Sequence, residues 1–247
     1  MKFYEFDEKQ KKVDIFSERW YRHPETKKFY RNVTTILGII DKGYNYEEWL
    51  KNVGHNAEII VDKAGTFGTE FHALVQSFLL GNIVKYYDHQ YLGEKTATAL
   101  WERFNIWIAF WEELNKEHKV EYNPEGIEYI VYNDVLEYAG TIDLVCKIDG
   151  EPQIFDWKTG NIIGNKEELQ LIAYCNPLKI LKANIVHVPA IKPNKKGYRI
   201  KEIEYSDKMM NLFVVTKQVF DMENKDQPKF LTLPLEISKE DLITKEK

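Results

Sequence analysis

Gly140-Thr-Ile-Asp-Leu-Val-Cys-Lys-Ile-Asp-Gly-Glu-Pro-Gln-Ile-Phe-Asp-Trp-Lys-Thr-Gly160 is the stretch that decides how this chain folds. Two strand-like runs flank Asp149-Gly150, a dipeptide that strongly signals a two-residue hairpin loop. With that pair as the loop, Ile148 faces Glu151, and counting outwards brings Asp143 opposite Asp156. Counted from the hydrogen-bonded closing pair, the two aspartates fall at a non-hydrogen-bonded position, where opposed side chains approach most closely. Pro152 falls at another such position, opposite Lys147, so this partner does not call on its missing N–H, although a proline there still suits an edge or a strand start.

Opposed carboxylates at such a position have Cβ atoms about 4.5–5.5 Å apart. Two full charges near 5 Å repel by about 3 kcal/mol at an effective dielectric of about 20. Something positive has to sit beside them. Lys158 shares the face of Asp156 through the period of two, and a divalent cation held by both carboxylates would complete the neutralisation. The competing reading is a solvent-facing strand whose polar residues happen to alternate; the cross-strand register weighs against it.

The bulk numbers set the frame. A chain of 247 residues can bury one large core. A hydrophobic share of 44% with 30% charged residues places it among globular chains rather than disordered ones. No apolar run reaches the length of a membrane span, and Met1-Lys-Phe-Tyr-Glu-Phe-Asp-Glu8 resembles neither a signal nor a transit peptide, so an intracellular, cytoplasmic protein is expected. Cys146 and Cys175 are the only cysteines, which suits a reducing compartment and excludes a four-cysteine zinc or iron–sulfur site. With a net charge of −5, any contact with nucleic acid has to be local. The candidate is the acid-free stretch from Lys182 to Lys201, carrying Lys192, Lys195, Lys196 and Arg199, although a solvated face is the plainer reading.

Along the chain, Arg19-Trp-Tyr-Arg22 and Lys28-Phe-Tyr-Arg31 flank the turn-prone His23-Pro-Glu-Thr26 and predict an N-terminal hairpin. Its aromatics are expected to pack against the domain rather than stack on bases. A short capped helix is expected from Thr34, a helical stretch over 46–62, and a helix over 64–81 with Phe71, Val75 and Phe78 on one stripe and Gly81 ending it. His72 flanks that stripe. A histidine there is ordinarily a core residue, but Gly68, one turn earlier, leaves room for a backbone or a ligand to approach.

From Glu94 to His118 the heptad-like spacing of Leu100, Phe104, Trp107, Trp111 and Leu114 predicts a long packing helix. Ile127–Tyr132 reads as a strand turning at Asn133-Asp134 into the central hairpin, which makes a three-stranded meander. Glu167–Cys175 reads as a helix with Gln170 and Tyr174 spaced i, i+4. Strands are expected over Ile185–Pro189 and Gly197–Tyr205, and a helix over Asp207–Met222. The fold class is α/β in the α+β sense, a mixed sheet with an antiparallel meander flanked by helices. Gly65-Thr-Phe-Gly-Thr69 lacks the lysine of a phosphate loop, so nucleotide-driven chemistry is not indicated.

Taken in order, Gly68-x-x-x-His72, Gly140-x-x-Asp143, Asp156-x-Lys158 and Gln170-x-x-x-Tyr174 resemble the RecB-like branch of the PD-(D/E)xK nuclease superfamily. Asn32-Val-Thr-Thr-Ile-Leu-Gly-Ile-Ile-Asp41 resembles the Ser-Val-Thr-Thr opening of phage exonucleases and of the mitochondrial genome maintenance exonuclease, with Asn32 in place of serine. The resemblance implies a restriction-endonuclease-like core. The resemblance covers roughly residues 30–175; taken with the reading along the chain, residues 1–33 are expected to form a β-hairpin region, 34–222 the nuclease domain with a helical elaboration over 34–118, and 223–247 a tail that is partly ordered at most. It also implies that His72, Asp143 and Asp156, with the carbonyl of Trp157, bind one or two Mg²⁺ or Mn²⁺ ions, and that Lys158 is the catalytic lysine. Gln170 and Tyr174 match a motif supporting the site and the DNA backbone, and Glu128 matches an acidic position on the preceding strand. The two cysteines set this chain apart from branch members that carry an iron–sulfur cluster.

The implied activity is a metal-dependent deoxyribonuclease, an exonuclease acting on single strands or DNA ends and leaving 5′-phosphate and 3′-hydroxyl. Lys158 would orient the attacking water, offset developing charge, and accept the water's proton where the site depresses its pKa. Lys192, Lys195, Lys196 and Arg199 would contact the DNA. The alternative is a non-cleaving DNA-binding or recombination-accessory protein on the same fold, against which the intact Asp143, Asp156 and Lys158 weigh. A carboxylate-pair glycosidase is disfavoured, because its carboxylates need at least about 5 Å between them to admit a sugar.

Overall fold

The computed structural model describes residues 12–15, 18–26, 28–40, 43–190 and 192–224. The expected tail beyond Asn224 and Asp41, the end of the N-terminal motif, lie outside them. In chain order the elements are β1 (Lys12–Ile15), β2 (Glu18–Arg22), β3 (Phe29–Asn32), α1 (Val33–Ile36), α2 (Tyr44–Val53), α3 (Ala57–Leu79) and α4 (Glu94–Glu117). There follow β4 (Val120–Glu121), β5 (Ile127–Asn133), β6 (Tyr138–Ile148), β7 (Glu151–Lys158), α5 (Asn165–Leu178), β8 (Lys182–His187), β9 (Arg199–Glu204) and α6 (Asp207–Glu223). The described residues form two compact units, one drawn from those within 12–39, 132–140 and 214–224, the other from those within 40–131 and 141–213. Among the described residues no helix is long and apolar enough to cross a membrane.

In the first unit β2 and β3 form the expected hairpin, with Tyr21 opposite Tyr30, and β1 adds a strand to its free side. Tyr21 and Tyr30 are buried, so these aromatics pack, and the Tyr30 hydroxyl donates to Asp134 Oδ1 at 2.9 Å. β3 runs parallel to the start of β6 through Arg31 and Tyr138. Asn32 then caps α1, its Oδ1 accepting the Thr34 N–H at 3.3 Å. Asparagine and serine fill that position about equally well, which accounts for the exchange in the motif.

The second unit is built on the hairpin. Asp149 and Gly150 both take positive φ, 52° and 89°, the pattern of a type I′ turn whose twist matches the flanking strands. The β6–β7 ladder runs from Ile148 opposite Glu151 to Leu144 opposite Phe155, in the expected register. β7 pairs in parallel with β8, β8 pairs antiparallel with β9, and β4 and β5 both pair with β6. The sheet is therefore mixed, and α5 makes the crossover that two parallel strands require.

The helices differ from expectation in one respect. Instead of stretches over 46–62 and 64–81, α2 stops at Val53, and α3 runs unbroken from Ala57 through Gly65 and Gly68 to Leu79. A glycine ends a helix where its backbone leaves the helical region, and here that residue is Gly54, at φ +59° and ψ −136°. Gly81, at φ +81°, terminates α3 as expected.

Alternation along the hairpin sorts its side chains. Leu144, Cys146 and Ile148 of β6 and Phe155 and Trp157 of β7 pack with Phe71, Leu74 and Val75 of α3 and with Leu100, Phe104, Trp107, Phe110 and Trp111 of α4. Trp157 stands edge-on to Trp107 at 5.3 Å, and Trp107 stacks on Trp111 at 5.5 Å. Removing such a buried indole costs about 3–5 kcal/mol. Trp157 is therefore a firm anchor, and Asp156 and Lys158 on either side of it must project from the opposite face.

Candidate active site

Asp143 lies one step beyond the last regular pair of the hairpin, Leu144 opposite Phe155. There its carboxylate takes part in the strand pairing itself, Oδ2 accepting the Trp157 N–H at 2.6 Å. The other oxygen, Oδ1, lies 2.9 Å from His72 Nδ1 on α3. Glu128 joins them: ligand atoms of His72, Glu128 and Asp143 all fall within 4.8 Å of one another. Glu128 holds φ +52° within β5, a left-handed conformation that costs a non-glycine residue about 1–3 kcal/mol and concentrates at functional sites. Close approach of β5 to β6 depends on Gly126, where a Cβ would come within 2.6 Å of the Val145 carbonyl oxygen.

Asp156 and Lys158 form the second half of the site. Asp156 is 2% exposed, and the Lys158 ammonium spans its carboxylate, donating to Oδ1 at 3.0 Å and lying 2.7 Å from Oδ2. From α5, Gln170 Nε2 donates to Asp156 Oδ1 at 3.3 Å and to the Tyr174 hydroxyl at 3.2 Å. Gln170 Oε1 in turn accepts from Lys158 Nζ at 3.4 Å. The i, i+4 pair on α5 thus holds the Asp156–Lys158 pair from behind.

The sequence profile of the PD-(D/E)XK nuclease superfamily matches residues 44–184, more than half of the chain. This chain belongs to that superfamily. No curated protein matches it. Among solved structures it is similar to the alkaline exonuclease LHK-Exo from Laribacter hongkongensis, at 10% identity over 79% of this chain and 88% of that one, with a TM-score of 0.42. It is also similar to SSO0001, at 12% identity over 63% of this chain and 85% of that one, with a TM-score of 0.35. In this PD-(D/E)XK chain the D-x-K tripeptide is Asp156-Trp157-Lys158, with the middle residue buried in the core.

The electrostatics of the site share one direction. Burial pushes the Asp156 carboxyl up, Lys158 pulls it down and Asp143 raises it again, leaving it above the ordinary carboxylate range. Burial lowers Lys158, but Asp156 and Asp143 outweigh that and hold it above its usual value, as an ammonium. For His72, burial likewise lowers and Asp143 more than restores, so the imidazole is also raised. All three groups hold protons more tightly than usual. Three carboxylates, Asp143, Asp156 and Glu128, gather around the single Lys158 ammonium, and a cation would relieve the excess. An imidazole and two carboxylates are a donor set for a divalent metal ion, and binding would displace the proton of His72.

The other sequence candidates are placed as follows. Trp157 contributes its N–H to Asp143. Lys192 and Lys195 are exposed in the segment before β9. Lys196 is ion-paired with Glu113 of α4. Arg199 stands opposite His187, which stands opposite Lys158, so of the four basic residues Arg199 is the one the strand register brings into line with the site. Sequence patterning does not single out Arg103, which is half-buried in the structure. The available signal was a charge at i+3 from Leu100, on the buried stripe of α4.

Proposed function

We propose that this protein is a divalent-metal-dependent deoxyribonuclease, an exonuclease that takes single strands or DNA ends and hydrolyses phosphodiester bonds to a 5′-phosphate and a 3′-hydroxyl. The observation that carries this reading is the pairing of two sub-sites on one hairpin. Asp143 gathers with His72 and Glu128, while Asp156 is spanned by the Lys158 ammonium.

His72, Glu128 and Asp143 would hold the ion, with Asp156 as the adjoining carboxylate. When bound, the ion supplies Lewis-acid neutralisation of the phosphate oxygens and acidifies water. The remaining work falls to the chain. Lys158, fixed by Asp156 and Gln170, presents a rigid ammonium that orients the attacking water and stabilises negative charge as it develops on the phosphate. Paired with the Asp156 carboxylate as an ammonium, it acts as a donor and a charge. Gln170 and Tyr174 keep the Asp156 carboxylate and the ammonium in one arrangement, so that little reorganisation accompanies reaction. The Trp157 anchor fixes both at the end of β7.

Labelled linear and circular DNA, single- and double-stranded, incubated with Mg²⁺ or Mn²⁺ tests the proposal. Linear single strands and ends are degraded, circles persist, and Lys158→Ala and Asp143→Ala lose the activity. Wild-type cleavage that continues unchanged in both variants would overturn it.

A further inference from the structure

Arg103 occupies a position on α4 where the stripe calls for an apolar side chain, since Leu100, Phe104 and Trp107 around it are all buried. Its guanidinium leaves the core sideways. It lies over the Phe67 ring of α3 at 4.3 Å, and Nη1 donates to the Thr159 carbonyl at 3.2 Å. Among the described residues no ion pair joins it to a carboxylate, and burial lowers its pKa with only Glu102 opposing. A partly buried cation without an anion is costly to keep. Arginine has five N–H donors in a planar fork. One of them is spent on Thr159.

Thr159 directly follows Lys158, so Arg103 stands at the end of the strand that carries the D-x-K tripeptide. A second guanidinium is close. Arg199 faces His187 across the β8–β9 ladder, His187 faces Lys158 across β7–β8, and His187 Nε2 donates to the Gly160 carbonyl. Burial first, and then the charges of Arg199 and Arg103, hold the His187 imidazole below its usual pKa, so both guanidinium fields meet there. Glu167 is the acid acting on Lys158 and His187, and its carboxylate accepts the Gly164 N–H at 2.8 Å at the start of α5.

The geometry points to Arg103 as a phosphate-binding residue for the nucleic-acid strand, receiving a backbone phosphate next to the one that Lys158 faces, with Arg199 as the outer cation along the same path. This rests on the nuclease reading above. A guanidinium fork matches two phosphate oxygens at once. The Phe67 ring and the Thr159 carbonyl hold that fork in place before substrate arrives, which lowers the ordering cost of binding.

The test measures binding of a fluorescein-labelled single-stranded oligonucleotide by anisotropy, without divalent metal, over a salt series. It is paired with steady-state cleavage in Mg²⁺ and with melting curves. Arg103→Gln weakens binding about tenfold and lowers the slope of log K against log salt by about 0.7, the loss of one phosphate contact on a single strand. In cleavage the loss falls mainly on KM. Arg103→Lys keeps the salt slope but raises KM, because an ammonium does not reproduce the fork. If Arg103→Gln lowers the melting temperature while affinity and slope stay at the wild-type values, Arg103 is structural and the inference is overturned. Should Arg103→Gln not fold, an unchanged KM in Arg103→Lys overturns it equally. Wild-type protein that binds the oligonucleotide but cuts nothing refutes the nuclease reading while leaving the binding role of Arg103 measurable.

Discussion

Trp157 donates its backbone N–H to Asp143 Oδ2 at 2.6 Å while its indole is held edge-on against Trp107 at 5.3 Å. A single residue thus ties the aromatic core between α3, α4 and the sheet to the carboxylate at the centre of the site. The neighbours on either side, Asp156 and Lys158, inherit that rigidity. Preorganisation of the charged groups is a packing property of β7.

Asp143→Asn separates the charge of this residue from its hydrogen bond, because the amide oxygen still accepts the Trp157 N–H. Without metal the change in melting temperature is small, because neutralising Asp143 relieves its repulsion of buried Asp156 but gives up its attraction for Lys158 and His72. Wild type gains melting temperature on addition of Mn²⁺ as expected of a ligand bound only by the folded state. The variant loses that gain, and cleavage falls about 100-fold or more. Scanning fluorimetry with and without Mn²⁺ checks this; an undiminished gain in Asp143→Asn would remove Asp143 from the metal site.

Much of this arrangement is readable in the sequence, for physical reasons. A two-residue Asp-Gly loop fixes a hairpin register, and the register fixes which side chains face each other. Asp143, Asp156 and Lys158 follow by counting, while His72, Gln170 and Tyr174 follow from motif order. Glu128 came only through family resemblance, because its carboxylate joins the cluster from a left-handed residue that no strand pattern announces. Lys196 is a DNA-contact candidate from local charge alone, and its pairing with Glu113, 83 positions away in the chain, is beyond the reach of local reading. Arg103 was hidden by the apolar helix that carries it.

Lys158→Met leaves Asp156 buried with no ammonium, and breaking such a pair costs about 3–5 kcal/mol. The double variant Asp156→Asn with Lys158→Met removes both charges, recovers most of that stability and stays inactive. Urea melts of the two single variants and the double variant give the coupling between the residues. A double variant as unstable as Lys158→Met would mean that the ammonium supports the fold through something other than Asp156.

Gly126→Ala acts on the site from outside it. The added methyl meets the Val145 carbonyl, a backbone atom that cannot step aside, so the start of β5 must shift. Overpacking of this kind costs about 1–3 kcal/mol. Glu128 lies two residues on, and metal affinity therefore falls further than the melting temperature alone would suggest. Mn²⁺ titration of the folded variant at low temperature is the measurement; wild-type affinity there would dissociate the β5 backbone from the metal cluster.

Asp149→Asn tests the turn that sets the register. Asparagine accepts the left-handed conformation that Asp149 holds at φ +52°, so the hairpin and the cleavage activity persist. What changes is charge. The Asp149 carboxylate lies 2.6 Å from His118 Nδ1 and accepts the Lys119 N–H at 2.8 Å, and these contacts, His118 first, hold its pKa below the usual 3.8. A carboxyl depressed in the folded state stabilises fully above its unfolded pKa and ceases to do so as pH falls through the folded value. Wild type is therefore the more stable of the two near neutrality, and the gap closes below about pH 4. Melting curves of both proteins across that range decide the matter: a gap that does not change with pH would show that the carboxylate charge contributes nothing to holding the turn against His118 and Lys119.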